Sequence, residues 1–466
     1  MCAAKSSLSV AVVGGGWAGC AAAAELARAG CTVALFEAAR ALGGRARAVE
    51  VEGHILDNGQ HIMLGAYSET LRMLRLVGVD PAAGLLRLPL QMRYPEASGG
   101  MDFVAPRLPA PWHMLVALLR AKGLERADKL ALARFTTSAR WMGWQLNVDC
   151  SVAELLERFD QTERLVRLMW RPLCLAALNT PIEHASAKVF LAVLRDSLGA
   201  RRAASDMLLP RQNLGALFPA AAAGYVQRSG GAVHTGERVE GLTRDADGWT
   251  LLPGGQRFDA VVLATPPYQA ARLLAGLLDA QPLAEQLNGF GYEPITTCYL
   301  QYGPGLRLPL PFCALQDDPA AGHYGQFVFD RGQLDAGHAG LLSVVVSAAR
   351  DASGLDQQAL ATAVAAQLAA SLGDPSLATP VWSRVITEKR ATFACTPGLV
   401  RPANETPLPG LVLAGDYTAS DYPATLESAV RSARAAATAI LSFRALPRKK
   451  RSLSQTDGGA GGPSVQ

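Results

Sequence analysis

An excess of charge of either sign is missing from this chain. Its 44 Lys and Arg stand against 40 Asp and Glu, a formal net of +4 over 466 residues. The basic residues are scattered rather than striped, so nucleic acid is not expected as a partner. The eight cysteines include no CxxC pair and no regular spacing, which excludes a zinc site and a disulfide framework and points to a reducing cytosol. No apolar run approaches the roughly 20 residues that a membrane-spanning helix needs. The opening residues, MCAAKSSLSV, lack the apolar core of a signal peptide. A cytoplasmic protein, soluble or peripheral on the inner face of the membrane, is therefore expected. No internal repeat, no Ser-His-Asp pattern and no metal-ligand spacing is present, and no second glycine fingerprint is followed by a strand and an acid.

What is there begins at residue 10 with VAVVGGGWAGCAAAAELARAGCTVALFEAARALGGRA. An apolar strand over 8–13, a glycine turn, an alanine-rich helix over 17–29 and a second strand over 32–36 make a β-α-β unit. Gly14 allows the tight turn, Gly16 lets the backbone approach a pyrophosphate, and Gly19 lets helix and strand pack closely, with the helix N-terminus facing the negative charge. Glu37, 18 residues past Gly19, closes the second strand where a carboxylate can accept ribose hydroxyls and would repel a 2′-phosphate. That leaves NAD or FAD. Two further glycines and Arg45 then place a bidentate cation near the pyrophosphate. At the far end LVLAGD repeats the strand-and-turn logic with Gly415 and Asp416, followed by a helix from about 423 to 441. These two blocks together favour FAD.

Between the ends, a hairpin over 49–55 and a helix over 68–77 precede a largely helical stretch at 106–199. Strands are expected at 233–252, 258–267 (stopped by its two closing prolines), 295–302, 327–329, 341–347 and 381–387, with a helix over 356–372. The reading is an α/β protein with a discontinuous, glutathione-reductase-like, Rossmann-type nucleotide domain. Its parts are 1–80, 216–270 and 391–443. An inserted helical subdomain occupies 81–215, where substrate or membrane is met, and a mixed α+β substrate domain occupies 271–390. The polar tail at 444–466 is expected to be disordered.

The N-terminal and C-terminal blocks resemble the FAD fingerprint and flavin-contacting segment of the amine oxidase and phytoene desaturase superfamily. More narrowly, LDNGQHIMLGAYSETLRMLRLVG, KRATFACTPGLVRP and LAGDYTASDYPATLESAVRSA are similar to the squalene-associated FAD-dependent desaturases, the hydroxysqualene dehydroxylases of bacterial hopanoid synthesis. The chain departs from that family at Tyr417, where tryptophan is usual, and at Ser428 and Ala433, where glycine is. The resemblance implies FAD pyrophosphate at Gly14, Gly16 and Gly19, ribose at Glu37 and phosphate contact at Arg45. It also implies an adenine-side backbone contact near Val239, isoalloxazine near Gly59, Gln60 and His61, and ribityl contact at Gly415 and Asp416.

The reaction implied is loss of an allylic hydroxyl from hydroxysqualene, a long isoprenoid, with hydride from reduced flavin and proton assistance. His61 is the candidate proton donor; Asp421 and Tyr422 are weaker ones. Electrons must come from an external reductant such as NADPH or a redox protein. Trp112, Leu115, Leu118 and Leu119, with Arg120, Lys122, Arg126 and Lys129 nearby, would suit a helix lying on an anionic membrane within residues 107–130. A carotenoid desaturase of the same fold is the main alternative. A flavin amine oxidase would call for an aromatic cage, which the sequence does not reveal.

Overall fold

A computed structural model describes residues 7–445 apart from 247; of the tail expected to be disordered, residues 444 and 445 instead end the last helix and 446–466 lie outside the described residues. A parallel five-stranded sheet runs in the order Ala232–Thr235, Thr32–Glu37, Ser9–Val13, Ala260–Leu263 and Leu411–Leu413. The first strand to be made thus sits at the centre, flanked by strands drawn from the start, middle and end of the chain. Because side chains alternate along a strand, Val10 and Val12 face one apolar layer while Ala11 and Val13 face another. The first layer is the alanine-rich helix Trp17–Arg28, against which Pro219–Arg228 and the C-terminal helix Leu426–Ala445 pack. The small alanine side chains let the three helices approach closely. On the opposite face lies an antiparallel sheet of Gly241–Asp245, Gly248–Leu252 and Arg257–Phe258, with Trp249 buried beneath it.

A second five-stranded sheet, in the region expected to meet substrate and called the substrate-side sheet below, is antiparallel, in the order Phe312–Ala314, Phe327–Asp330, Leu341–Ser347, Tyr292–Gln301 and Trp382–Phe393. Helix Gln357–Leu372, capped by the Asp356 carboxylate, covers one face and contributes Leu360, Val364 and Leu368 to the core there. The helical insert packs around Phe135, Trp170 and Phe190.

Two local differences from expectation stand out. The segment assigned to the helical insert opens with short strands, Leu85–Leu88, Gln91–Arg93 and Asp102–Val104, and Met207–Pro210 returns to pair with the first of them. The last helix starts at Leu426 rather than near 423, because the preceding turn is held in an irregular path by side chains described below. The expected hairpin is present as Ala48–Val51 and His54–Asp57. Its two turn residues, Glu52 and Gly53, both have positive φ, as a tight two-residue connection demands.

Candidate functional site

The glycine turn leaves no room for side chains. Gly14 has φ +108°, and a Cβ on Gly19 would lie 1.8 Å from the Gly14 carbonyl oxygen. At Gly16 the only neighbour within 4 Å of such a Cβ is the Gly44 Cα at 3.9 Å, so that side of the turn is open to an approaching group. Gly16 also begins the helix without a side-chain cap, leaving the positive end of the helix dipole uncompensated by protein. The second glycine pair serves the first: the Gly43 N–H donates to Gly15 O at 2.8 Å, and Gly44 stacks its backbone against Gly16. Glu37 accepts from the Gly15 N–H (2.6 Å) and the Ala39 N–H (2.8 Å), which fixes its carboxylate beside the turn. The 236–239 stretch passes alongside, with the Glu237 N–H on Glu37 O at 3.0 Å, and brings Val239 to this edge.

Arg45 joins the two ends of the chain. Its guanidinium donates to Asp416 Oδ1 (2.7 Å) across 371 residues and to Ala391 O (2.6 Å). Asp416 is buried, and its proximity, after the opposing effect of desolvation, keeps the guanidinium firmly charged.

The segment 57–61 lies between the glycine domain and the substrate-side sheet. His61 Nδ1 is 2.7 Å from Gly59 O. A carbonyl only accepts, so Nδ1 carries the proton and Nε2 is the nitrogen left for chemistry. Burial pushes the imidazole pKa down, opposed by the Gly59 carbonyl and by Asp57, while Arg45 adds to the depression. The Gln60 side chain turns away into the substrate-side sheet, where Oε1 accepts from Arg331 Nη1 (2.7 Å).

One side chain that organises the C-terminal block was given no role in the sequence. Arg401, inside the quoted KRATFACTPGLVRP motif, donates to the backbone carbonyls of Asp416, Tyr417, Ser420 and Tyr422. It thereby shapes the turn before the last helix. Ser428, where the family has glycine, places its hydroxyl on Asp416 O at 3.2 Å. Asp421 and Tyr422 do not join the cleft. Tyr422 hydrogen-bonds Asp196 on the helical insert, and Asp421 is an exposed partner of Arg195 at 3.8 Å.

The hydroxyls of Thr265, Thr297 and Tyr417 are buried without a hydrogen-bond partner. Thr265 follows the strand end that touches Gly14, Thr297 Oγ1 is 3.8 Å from where a Gly59 Cβ would sit, and Tyr417 lies in the C-terminal block. Buried polar groups are nearly always paired, so these three hydroxyls, like that of Tyr292, are groups that a bound molecule running from the glycine turn past residue 59 could satisfy. A dinucleotide with its pyrophosphate at the glycine turn and its ring near residue 59 fits that path. Among the described residues no cluster of His, Cys, Asp or Glu could hold a metal.

The family model for flavin containing amine oxidoreductase matches residues 17–441. A hydroxysqualene dehydroxylase of Rhodopseudomonas palustris is 30% identical over 93% of this chain and 99% of its own. A zeta-carotene desaturase of Synechocystis is 26% identical over 94% of this chain and 98% of its own. The solved cyclohexylamine oxidase of Brevibacterium oxydans superposes with a TM-score of 0.64 at 16% identity, covering 94% of this chain and all of its own, a likeness of fold.

Proposed function

The chain belongs to the flavin containing amine oxidoreductase family, and we propose that it reductively removes the hydroxyl of hydroxysqualene to give squalene. It is an FAD-dependent oxidoreductase. The proposal is carried by the nearly full-length match to a hydroxysqualene dehydroxylase. Reduced FAD, when bound, supplies hydride to the allylic carbon from which the hydroxyl leaves, so that with one proton the products are squalene, water and oxidised cofactor.

The chain's own residues do the rest. Gly14, Gly16 and Gly19 admit the pyrophosphate to the helix N-terminus, and Glu37 and the backbone at Val239 hold the adenosine end. Gly415 and Asp416 receive the ribityl chain. Arg45 keeps Asp416 in place and adds its charge near the phosphates. Gly59, Gln60 and His61 form the edge against the isoalloxazine. His61 delivers the proton to the departing hydroxyl from Nε2; its Nδ1–H stays on Gly59 O throughout, so the ring does not turn between the charged and neutral forms. Burial favours the neutral form and makes the charged imidazole a ready donor.

The substrate is insoluble in water, and helix Trp112–Arg120 offers a way to reach it. His113 and Ala117 are buried, while Trp112 and Leu119 are 58% and 65% exposed. Arg120, Lys122, Arg126 and Lys129 follow closely in the chain. This face would rest on anionic lipid as a peripheral contact on the cytoplasmic leaflet; no helix among the described residues is long and apolar enough to cross a membrane. Electrons come from an external reductant, NADPH or a redox protein.

The test is anaerobic incubation of FAD-loaded protein with hydroxysqualene and a chemical reductant, followed by analysis for squalene. Squalene is the expected product. No squalene, together with desaturation of a carotene under oxidising conditions, would replace this reading with the carotenoid desaturase that the Synechocystis relative suggests. For the membrane face, a Trp112→Ser, Leu119→Ser double variant should lose binding to phosphatidylglycerol vesicles while keeping turnover in detergent; undiminished vesicle binding would reject it.

A further inference from the structure

A buried charge network behind the flavin-facing segment takes no direct part in the reaction proposed above. Arg331, in the turn after strand Phe327–Asp330, is 3% exposed and Asp57, at the end of strand His54–Asp57, is 2% exposed. Arg331 Nη1 donates to Gln60 Oε1 at 2.7 Å, and Nη2 lies 3.7 Å from Asp57 Oδ2. The other Asp57 oxygen accepts the Leu214 N–H at 2.8 Å, and the Tyr299 hydroxyl donates to Asp57 O at 2.8 Å. Ser343 adds its hydroxyl to Gln60 Oε1 at 3.3 Å, and Gln60 Nε2 donates to His61 O at 3.2 Å. A buried ion pair of this kind is seldom a source of net stability, since desolvation cancels most of the attraction. Hydrophobic residues of the same size would fill the space at no loss. Its placement, two to four residues from Gly59 and His61, suggests another use.

We propose that Arg331 is a positioning residue: reaching from the substrate-side sheet, it latches Gln60 and balances Asp57, and so sets the orientation and charge of His61 in the cleft. The network spans the hairpin strand, the 59–61 segment, the 331–333 turn and strand Leu341–Ser347. A shift of the substrate-side sheet is thereby transmitted to the imidazole. The charged groups facing this pair are few. Asp57 feels Arg331, His61 and His338, the last paired with Asp335 at 3.3 Å; His61 feels Asp57 and Arg45. Burial pushes the Asp57 carboxyl up, and Arg331 is the strongest force holding it ionised. Removing the cation must strengthen proton binding by Asp57, and a carboxylate that is protonated or removed must weaken proton binding at His61. The proposal rests on the reading of residues 59–61 as flavin-facing and is independent of the identity of the substrate.

The experiment is a histidine-labelled NMR titration of FAD-loaded protein, with the His61 signal assigned by its loss in His61→Gln. In Arg331→Met, Asp57 loses the cation that keeps it ionised and no longer supports the imidazolium, so the His61 midpoint should fall by about one pH unit, a tenfold loss of proton affinity; in Asp57→Asn it should fall by a similar amount. Arg331→Lys, which keeps the charge and loses the fork, should leave the midpoint near that of the wild type. Should Arg331→Met fail to retain FAD, the Arg331→Met, Asp57→Asn pair removes both charges and should regain flavin. Midpoints that stay put in Arg331→Met and Asp57→Asn, or an Arg331→Lys midpoint that moves as far as that of Arg331→Met, would overturn the proposal. Preserved downward shifts in a protein that yields no squalene would remove the substrate reading and leave this one standing.

Discussion

The two sides of the cleft are built on opposite principles. The nucleotide side is made of backbone and of missing side chains: glycines against glycines at residues 14–19 and 43–44, and alanines between helices. The substrate side of the segment 57–61 is made of long polar side chains buried with their partners, Arg331, Asp57, Gln60 and Ser343. One side fails when volume is added and the other when a charge is taken away. A close-packed backbone has no rotamer with which to yield, whereas a charge network fails by leaving an orphan.

The strongest break should come from volume on the nucleotide side. Gly19→Val puts a branched side chain where even a Cβ would lie 1.8 Å from Gly14 O, so purified protein should carry almost no flavin by its absorbance ratio. A stoichiometric flavin content would show that the turn can open. Next comes charge removal at the join of the two sides. Arg401→Met strips the donors from four carbonyls of the turn at 416–422 and should cost roughly 2–4 kcal/mol in denaturant unfolding. A loss under about 0.5 kcal/mol would mean that water replaces the guanidinium freely. Smaller again, Glu37→Ala keeps the packing but removes the carboxylate beside the turn, and should weaken FAD retention about tenfold in ultrafiltration. Unchanged retention would mean the acid serves only the Gly15 and Ala39 amides.

The smallest effect tests whether the orphan hydroxyls belong to the cofactor. Thr297→Val removes a buried hydroxyl that has no protein partner. The apoprotein should be unchanged or slightly more stable, within about 1 kcal/mol, while FAD affinity drops a few-fold by fluorescence titration. A loss of apoprotein stability would place the hydroxyl in a structural role.

How much could be read in advance follows the same division. The glycine turn, its strand and helix, and Glu37 were legible because their requirements are local: a tight turn, a close approach and an acid at a fixed distance along the chain. Arg45 was legible as a cation but not as the partner of Asp416, since nothing in a sequence gives the pairing of residues 371 positions apart. Asp57 was quoted within LDNGQHIMLGAY and given no task, and Arg331 belongs to no spacing pattern and was missed. Arg401 was quoted within a motif and given no task, because a guanidinium that binds backbone carbonyls leaves no complementary residue type to look for. The late start of the final helix was missed for the same reason. The short strands at 85–104 were missed because each is only three or four residues long, too brief for any period to declare itself.

The bond between Arg45 and Asp416 has a consequence for biosynthesis. On the ribosome the glycine turn emerges early, with its helix, and must wait for strands Ala260–Leu263 and Leu411–Leu413 before its sheet can close. Until residue 416 has left the exit tunnel Arg45 has no carboxylate to pair with, so the contact that ties the first strand block to the last is among the final ones the folding chain makes.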